Sequence, residues 1–327
     1  LAPKAQSAKA AIRKIIANPN VKIYDVRPPA QFAQGHIPGA MPLAAGFFAE
    51  FSRNLPEDRS TPLVWYGNGG FFSHAIREQA GNLGYQDGRI YVGGYPDWSL
   101  SEPGMVEIDW LKQAISAGTP HILIDSRPVA AIINGHIPGA VAIAPADLER
   151  NRSQFPADRD APIIFYGPEA KAAAGKVISW GYRAVTILPV SFAGWEAVGS
   201  QVDRNPIKTT IDYKPAIRPG AISRPEFSEA AGSSAGKYLL IDVRNPEELV
   251  KGAIPGARNI PVPELGRQAP ELPRDREIIL YSNRGIRAAM AHNILEALPI
   301  KNRYLAADLR FTGSSFTATG PEKPATQ

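Results

Sequence analysis

The chain has 327 residues, 44% of them hydrophobic and 20% charged, with a net charge of +5 and no cysteine. That apolar share is globular, and the missing thiols exclude disulfides, thiolate metal sites and covalent c-type haem. No stretch approaches the ~18 apolar residues of a membrane span, and no run of five like charges or nucleic-acid motif occurs, so neither a membrane span nor a nucleic-acid partner is expected.

The chain opens at Leu1 with LAPKAQSAKA. This reads as a mature end after removal of a signal peptide, or as a trimmed end. The lack of cysteine suits an oxidising compartment, so a periplasmic or extracellular protein is expected, with a cysteine-free cytosolic protein as the alternative. Ser7 is placed to cap a helix over AKAAIRKIIA. The short apolar run VKIYDV then predicts a strand, continuous rather than alternating, as in a parallel sheet covered on both faces. HIPGA follows; proline fixes φ and glycine permits positive φ, so Ile-Pro-Gly is a turn. A helix-like stretch, the loop PEDRSTP, the strand LVWY and the amphipathic SHAIREQAGNLGY complete the unit, which closes on an aromatic turn at Trp98.

The pattern then recurs. IYDVRPPAQFAQGHIPGA is answered by LIDSRPVAAIINGHIPGA and by LIDVRNPEELVKGAIPGA. Asp25, Asp125 and Asp242 are 100 and 117 residues apart, and each stands 11 positions before His36, His136 or Ala253. LVWYG, IIFYG and IILYS recur behind them, with Trp195 and Phe311 in the place of Trp98. Asp109 is the predicted cap of the first helix in the second copy and Ser223 in the third, with Gly118 as a stop. Repeats of about 100 residues are whole domains rather than solenoid turns. The boundaries expected are 1–104, 105–204 and 220–315, with a Pro-rich linker at 205–219 and a disordered tail at 316–327.

DVR followed by GHIPGA, then a strand, a short loop and a helix, resembles the rhodanese family across nearly the whole chain. The resemblance implies three tandem α/β domains, each a parallel sheet flanked by helices on both faces. It also implies a cysteine just after the loop-bearing strand, which forms a persulfide within a cradle of backbone N–H groups at a helix N-terminus. Here Gly67, Gly167 and Ser282 take that position. The third loop, Ser282-Asn283-Arg284-Gly285-Ile286-Arg287, keeps the glycine and both arginines and is the candidate oxyanion site. The second loop has Pro168 and Glu169, which remove a donor and repel an anion; the first has Phe71 and Phe72. By the resemblance, Asp25, Arg27, His36, Asp125, Arg127, His136, Asp242 and Arg244 are structural.

The remaining signals are weaker. His74, His121 and His292 lack metal-ligand spacing, and GSSAGK at 232–237 is one residue short of a phosphate-binding loop and precedes a strand. Ser282 lacks the G-x-S-x-G elbow and an adjacent histidine. No metal and no cofactor are expected. The expected function is a catalytically inactive, exported module that binds another protein or further copies of itself, or serves as a structural scaffold. The alternative is binding of a small oxyanion such as thiosulfate or sulfate by the third loop, and a residual Ser282 hydrolase ranks last.

Overall fold

A computed structural model describes residues 12–44, 48–68, 70–214, 220–233, 236–296, 298 and 300–319. Ser7, Ser234, Ala235, residues 215–219 and residues 320–327 lie outside that set, as do the side chains of Phe71, Phe72 and Ile286. The first module runs α1 (residues 12–16), β1 (Lys22–Asp25), α2 (Pro29–Gln34), β2 (Ala40–Pro42), α3 (Phe48–Phe51), β3 (Leu63–Tyr66), α4 (Gly70–Asn82), β4 (Gly88–Tyr91) and α5 (Gly94–Trp98). The second runs β5 (Gly104–Met105), α6 (Ile108–Ser116), β6 (Ile122–Asp125), α7 (Val129–Ile132), β7 (Val141–Ala142), β8 (Ile163–Tyr166), α8 (Ala170–Ser179), β9 (Val185–Ile187) and α9 (Phe192–Ala197). The third runs β10 (Ala221–Ile222), α10 (Arg224–Gly232), β11 (Tyr238–Asp242), β12 (Arg258–Asn259), α11 (Val262–Gln268), β13 (Glu277–Tyr281), α12 (Ile286–Glu296), β14 (Asn302–Leu305), β15 (Asp308–Thr312) and β16 (Ser315–Thr319).

Each module is built on one parallel sheet: β2-β1-β3-β4, β5-β9-β8-β6-β7 and β10-β14-β13-β11-β12. The continuous apolar strands do what their sequence demands. Side chains alternate across a strand, so β3 sends Leu63 and Trp65 into a core with Tyr24 and Ile76, and Val64 and Tyr66 into one with Ile23 and Trp98. In β8, Ile163 and Phe165 face Val177, while Ile164 and Tyr166 face Leu111 and Trp195. All four residues of β3, β6 and β8 are buried, as a sheet covered on both faces requires.

Helix ends follow local chemistry. Ser223 caps α10 in a capping box with Glu226. Asp109 is not a cap: α6 begins one residue earlier, after Glu107, and Asp109 sits in its first turn. Gly118 follows that helix with φ of +64°, a left-handed conformation that glycine adopts without penalty.

The expected boundaries change in two places. Residues 205–213 are not a free linker: Asp203 pairs with His136, Lys208 pairs with Val141, and Ile207, Ile211 and Tyr213 pack on the second module's cores. Partial burial of those three apolar side chains, with the backbone pairing, outweighs the polar, Pro-rich composition that suggested a spacer. Residues 316–319, expected to open a disordered tail, likewise belong to β16 (Ser315–Thr319), antiparallel to β15. Its Phe316 packs on Phe227 of α10. The chain divides into two compact units, Leu1–Lys214 and Pro215–Gln327. Within the first unit β5 serves two modules: Met105 pairs with Ile187 of β9 and also exchanges backbone hydrogen bonds of 2.8 and 2.9 Å with His36. Tyr95 presents its hydroxyl at the Gly35 and Gly104 positions, leaving no room for a Cβ at either.

Candidate functional site

Every module sets its loop with the same ion pair, built on a buried carboxylate at the end of a central strand. Arg27 donates from Nε to Asp25 Oδ1 at 2.9 Å and from Nη2 to Oδ2 at 2.5 Å. The corresponding distances are 3.0 and 2.7 Å for Arg127 to Asp125, and 2.9 and 2.6 Å for Arg244 to Asp242. Nη2 also donates to the carbonyl of Gly35, Gly135 or Gly252, at 2.6, 2.8 and 2.8 Å. The ring nearest each guanidinium is Tyr95 at 4.1 Å, Phe192 at 4.2 Å and Phe311 at 4.1 Å, and Tyr66 and Tyr166 stand further off Arg27 and Arg127 at 5.8 and 5.6 Å. Phe311 therefore matches Tyr95 and Phe192, and not Trp98 and Trp195 as the sequence suggests. The two tryptophans instead donate to the carbonyls of Pro103 and Gln201. Burial works against the charge of Arg27, but Asp25 more than offsets it, and the Arg27 pKa is raised. These arginines spend their donors on the protein and tie the strand end to the turn before the I-P-G segment.

The histidines of that segment hold the chain that leaves each module. His36 Nδ1 lies 3.0 Å from the Phe32 carbonyl, and Nε2 lies 3.6 Å from Glu107. His136 Nε2 lies 3.0 Å from the carbonyl of Asn205. Burial holds His36 below the ordinary histidine range, against the Phe32 carbonyl and the Glu107 carboxylate. Ala253 has no ring, and there the neighbouring Gly252 bridges to Gly313. Among the described residues no group of three acidic, histidine or cysteine side chains is placed to hold a metal.

The three cysteine positions differ in kind. In the first module the carbonyl of Gly67 accepts from Tyr95 N–H at 3.0 Å, and Asn68 donates to Gln31 at 2.6 Å. In the second, Gly167 has φ of +111°, and a Cβ there would stand 2.7 Å from Ser126 Oγ and 3.2 Å from the Arg127 backbone nitrogen. Ser126 replaces the valine of DVR and donates to the Tyr166 carbonyl at 2.7 Å. Its hydroxyl fills the space a side chain at 167 needs. In the third, Ser282 is 1% exposed and its Oγ accepts the Ala288 N–H at 3.3 Å, at the start of α12. Gly285 turns the loop at φ of +69°, with Leu305 and Ala306 backbone 3.0 Å from where a Cβ would be.

The third loop differs from its sequence reading in one respect. Arg287 is committed to Glu248, with Nη1 to Oε2 at 2.5 Å and Nη2 to Oε1 at 2.8 Å. Asn283 donates to the same carboxylate at 2.9 Å and accepts from Arg244 at 3.2 Å. Arg287 holds the Glu248 carboxyl below the usual carboxylate range. Of the two loop arginines, only Arg284 is exposed at the surface. Glu248 escaped sequence reasoning although a signal existed: it stands six residues after Asp242, as Gln31 does after Asp25. Ser126 was visible as the one departure from DVR, but its proximity to Gly167 was not.

Residues 8–101, 107–198 and 227–308 match the rhodanese-like domain family. A segment of 103 residues is 28% identical to thiosulfate:glutathione sulfurtransferase of Homo sapiens, covering 28% of this chain and 90% of that protein. A 53-residue segment is 36% identical to a sulfurtransferase of Allochromatium vinosum, covering 16% and 50%. A 71-residue segment is 45% identical to a transcriptional regulator of the helix-turn-helix type from Mycobacterium tuberculosis, covering 22% and 30%. The chain thus spans from 30% to 50% of the length of those last two relatives. Among solved structures, a thiosulfate sulfurtransferase of Pseudomonas aeruginosa aligns with 94% of this chain and 67% of its own, at 19% identity and a TM-score of 0.29.

Proposed function

Because the chain belongs to the family of rhodanese-like domains and yet holds no cysteine, we propose that it is a catalytically inactive member, an exported module that binds another protein or further copies of itself. The observation that carries this reading is the state of the three cysteine positions. Persulfide chemistry needs a thiolate sulfur. Gly67 and Gly167 offer no nucleophile, the space beside Gly167 is taken by Ser126, and the Ser282 hydroxyl cannot store sulfur. The ion pairs that set each loop are nevertheless intact, so the scaffold persists without its reaction.

One observation favours a second reading, an oxyanion held by the third loop: the Ser282 hydroxyl at the start of α12, with Arg284 exposed beside it. Glu248 opposes that reading, because it already holds Arg287. Two measurements on the purified chain test both readings. Thiosulfate:cyanide sulfurtransferase assays should give no thiocyanate above the protein-free rate; protein-dependent product would overturn the inactive reading. Calorimetric titration with thiosulfate and with sulfate should give no heat of binding at millimolar ligand. Saturable binding that disappears in Arg284→Ala would replace the protein-binding reading with the oxyanion one.

A further inference from the structure

The first module carries polar side chains at three buried positions where its two sisters carry apolar ones. Tyr24 stands where the others have Ile124 and Ile241, Trp65 where they have Phe165 and Leu280, and Ser73 where they have Ala173 and Ala288. All three are buried, at 1%, 0% and 0% exposure. Among the described residues, Tyr24 Oη, Trp65 Nε1 and Ser73 Oγ have no hydrogen-bond partner.

Tyr24 and Trp65 lie in one layer, and Ser73 is on the helix that packs against it. Tyr24 and Trp65 are register partners on β1 and β3, and their rings stack with centroids 5.0 Å apart. They share a core with Ile76 and Ala80 of α4. Ser73 lies three and seven residues before those two, on the same face of that helix. Trp65 Nε1 reaches towards Gly88, where a Cβ would stand 3.2 Å from it. Burial, reinforced by Tyr85, pushes the Tyr24 phenol up to about 12, so it is a neutral hydroxyl at physiological pH.

A buried donor left without an acceptor costs more than holding one water in place. Apolar voids stay dry, whereas polar ones with several partners hold water. We propose that the layer between β1, β3 and α4 of the first module is a buried polar site that holds ordered water on Tyr24, Trp65 and Ser73. The second and third modules, with apolar side chains at all three positions, have no such site there. The first module then has a wet seam between its sheet and α4, beginning six residues beyond Gly67.

The chain supplies its own controls. The indole N–H groups of Trp98 and Trp195 already donate to protein carbonyls at 3.1 and 2.8 Å. Water-selective rotating-frame NMR on the full, deuterated chain should show a cross-peak between long-lived water and the Trp65 indole proton, and none at Trp98 or Trp195. The resonance is assigned by its loss in Trp65→Phe. Where that variant fails to fold, Tyr24→Phe identifies it through the shift of its stacked neighbour. A Trp65 indole as silent towards water as those of Trp98 and Trp195 would overturn the proposal.

Discussion

At the scale of single residues, the three cysteine positions are not equally reversible. Ser282 is compatible with a side chain, and its Oγ already takes an N–H from the first turn of α12. A thiol there would meet the same donor at the positive end of a helix, which favours the thiolate. Gly167 is different: its positive φ and the Ser126 hydroxyl at 2.7 Å from a Cβ both oppose any side chain. Ser282→Cys should therefore fold normally, with a thiol titrating below the ordinary ~8.5 of free cysteine when followed by thiolate absorbance. Gly167→Cys should lose about 1–3 kcal/mol from backbone strain, read as a lower denaturant midpoint. An unchanged midpoint for Gly167→Cys would show that the loop relaxes around the new side chain. Glu248 qualifies the first case, because it leaves Arg284 as the exposed cation of that loop.

Among the elements, the segment after the second module changes most between sequence and structure. Its composition is that of a spacer, yet it behaves as a strap. Its backbone pairs with His136 through Asp203 and with the β7 edge through Lys208, and Gln154 accepts the Ile211 N–H at 3.0 Å. Covering β7 removes a free strand edge, which would otherwise be open to pairing with another chain. Brief trypsin treatment should spare the bonds after Arg204 and Lys208, because a protease needs a locally unfolded segment. Early products ending at either residue, detected by mass spectrometry, would show that the strap detaches readily. At the same point in the third module a hairpin replaces the helix: β15–β16 stands where α5 and α9 stand in the other two, and still delivers an aromatic ring to the arginine.

In the whole molecule, the first two modules form one compact unit while the third belongs to another. β5 is the physical reason within the first unit, since Met105 bonds both to His36 and into the second sheet. Residues 1–214 should therefore unfold in a single calorimetric transition rather than two. That transition should also depend on pH through His36, which is faced by Glu107, Asp25 and Arg27. Folding lowers the His36 pKa, so the unfolded chain binds the proton more tightly. The stabilisation is then complete above the ordinary ~6.5 and declines as the pH falls below it. The transition temperature should drop between pH 7 and 5, with a shallower slope in His36→Gln. Equal slopes for both proteins would assign the pH dependence to other groups.

The repeat, the α/β class and the missing thiol are legible in the order of the residues alone. These rest on local patterns: apolar runs of strand length, Ile-Pro-Gly turns, Asp and Arg two residues apart, and a residue type at a fixed offset. Asp25 and Arg27 meet because two positions along a strand end suffice to form the pair, whatever the rest of the chain does. The long-range partners that fill each site come from the folded arrangement. Glu248 reaches Arg287 across 39 residues, Ser126 fills the space beside Gly167, Ile207 and Tyr213 turn a spacer into part of a core, and β16 folds back on β15. Composition cannot report such contacts, because they depend on which surfaces the sheet brings within a few ångströms of one another.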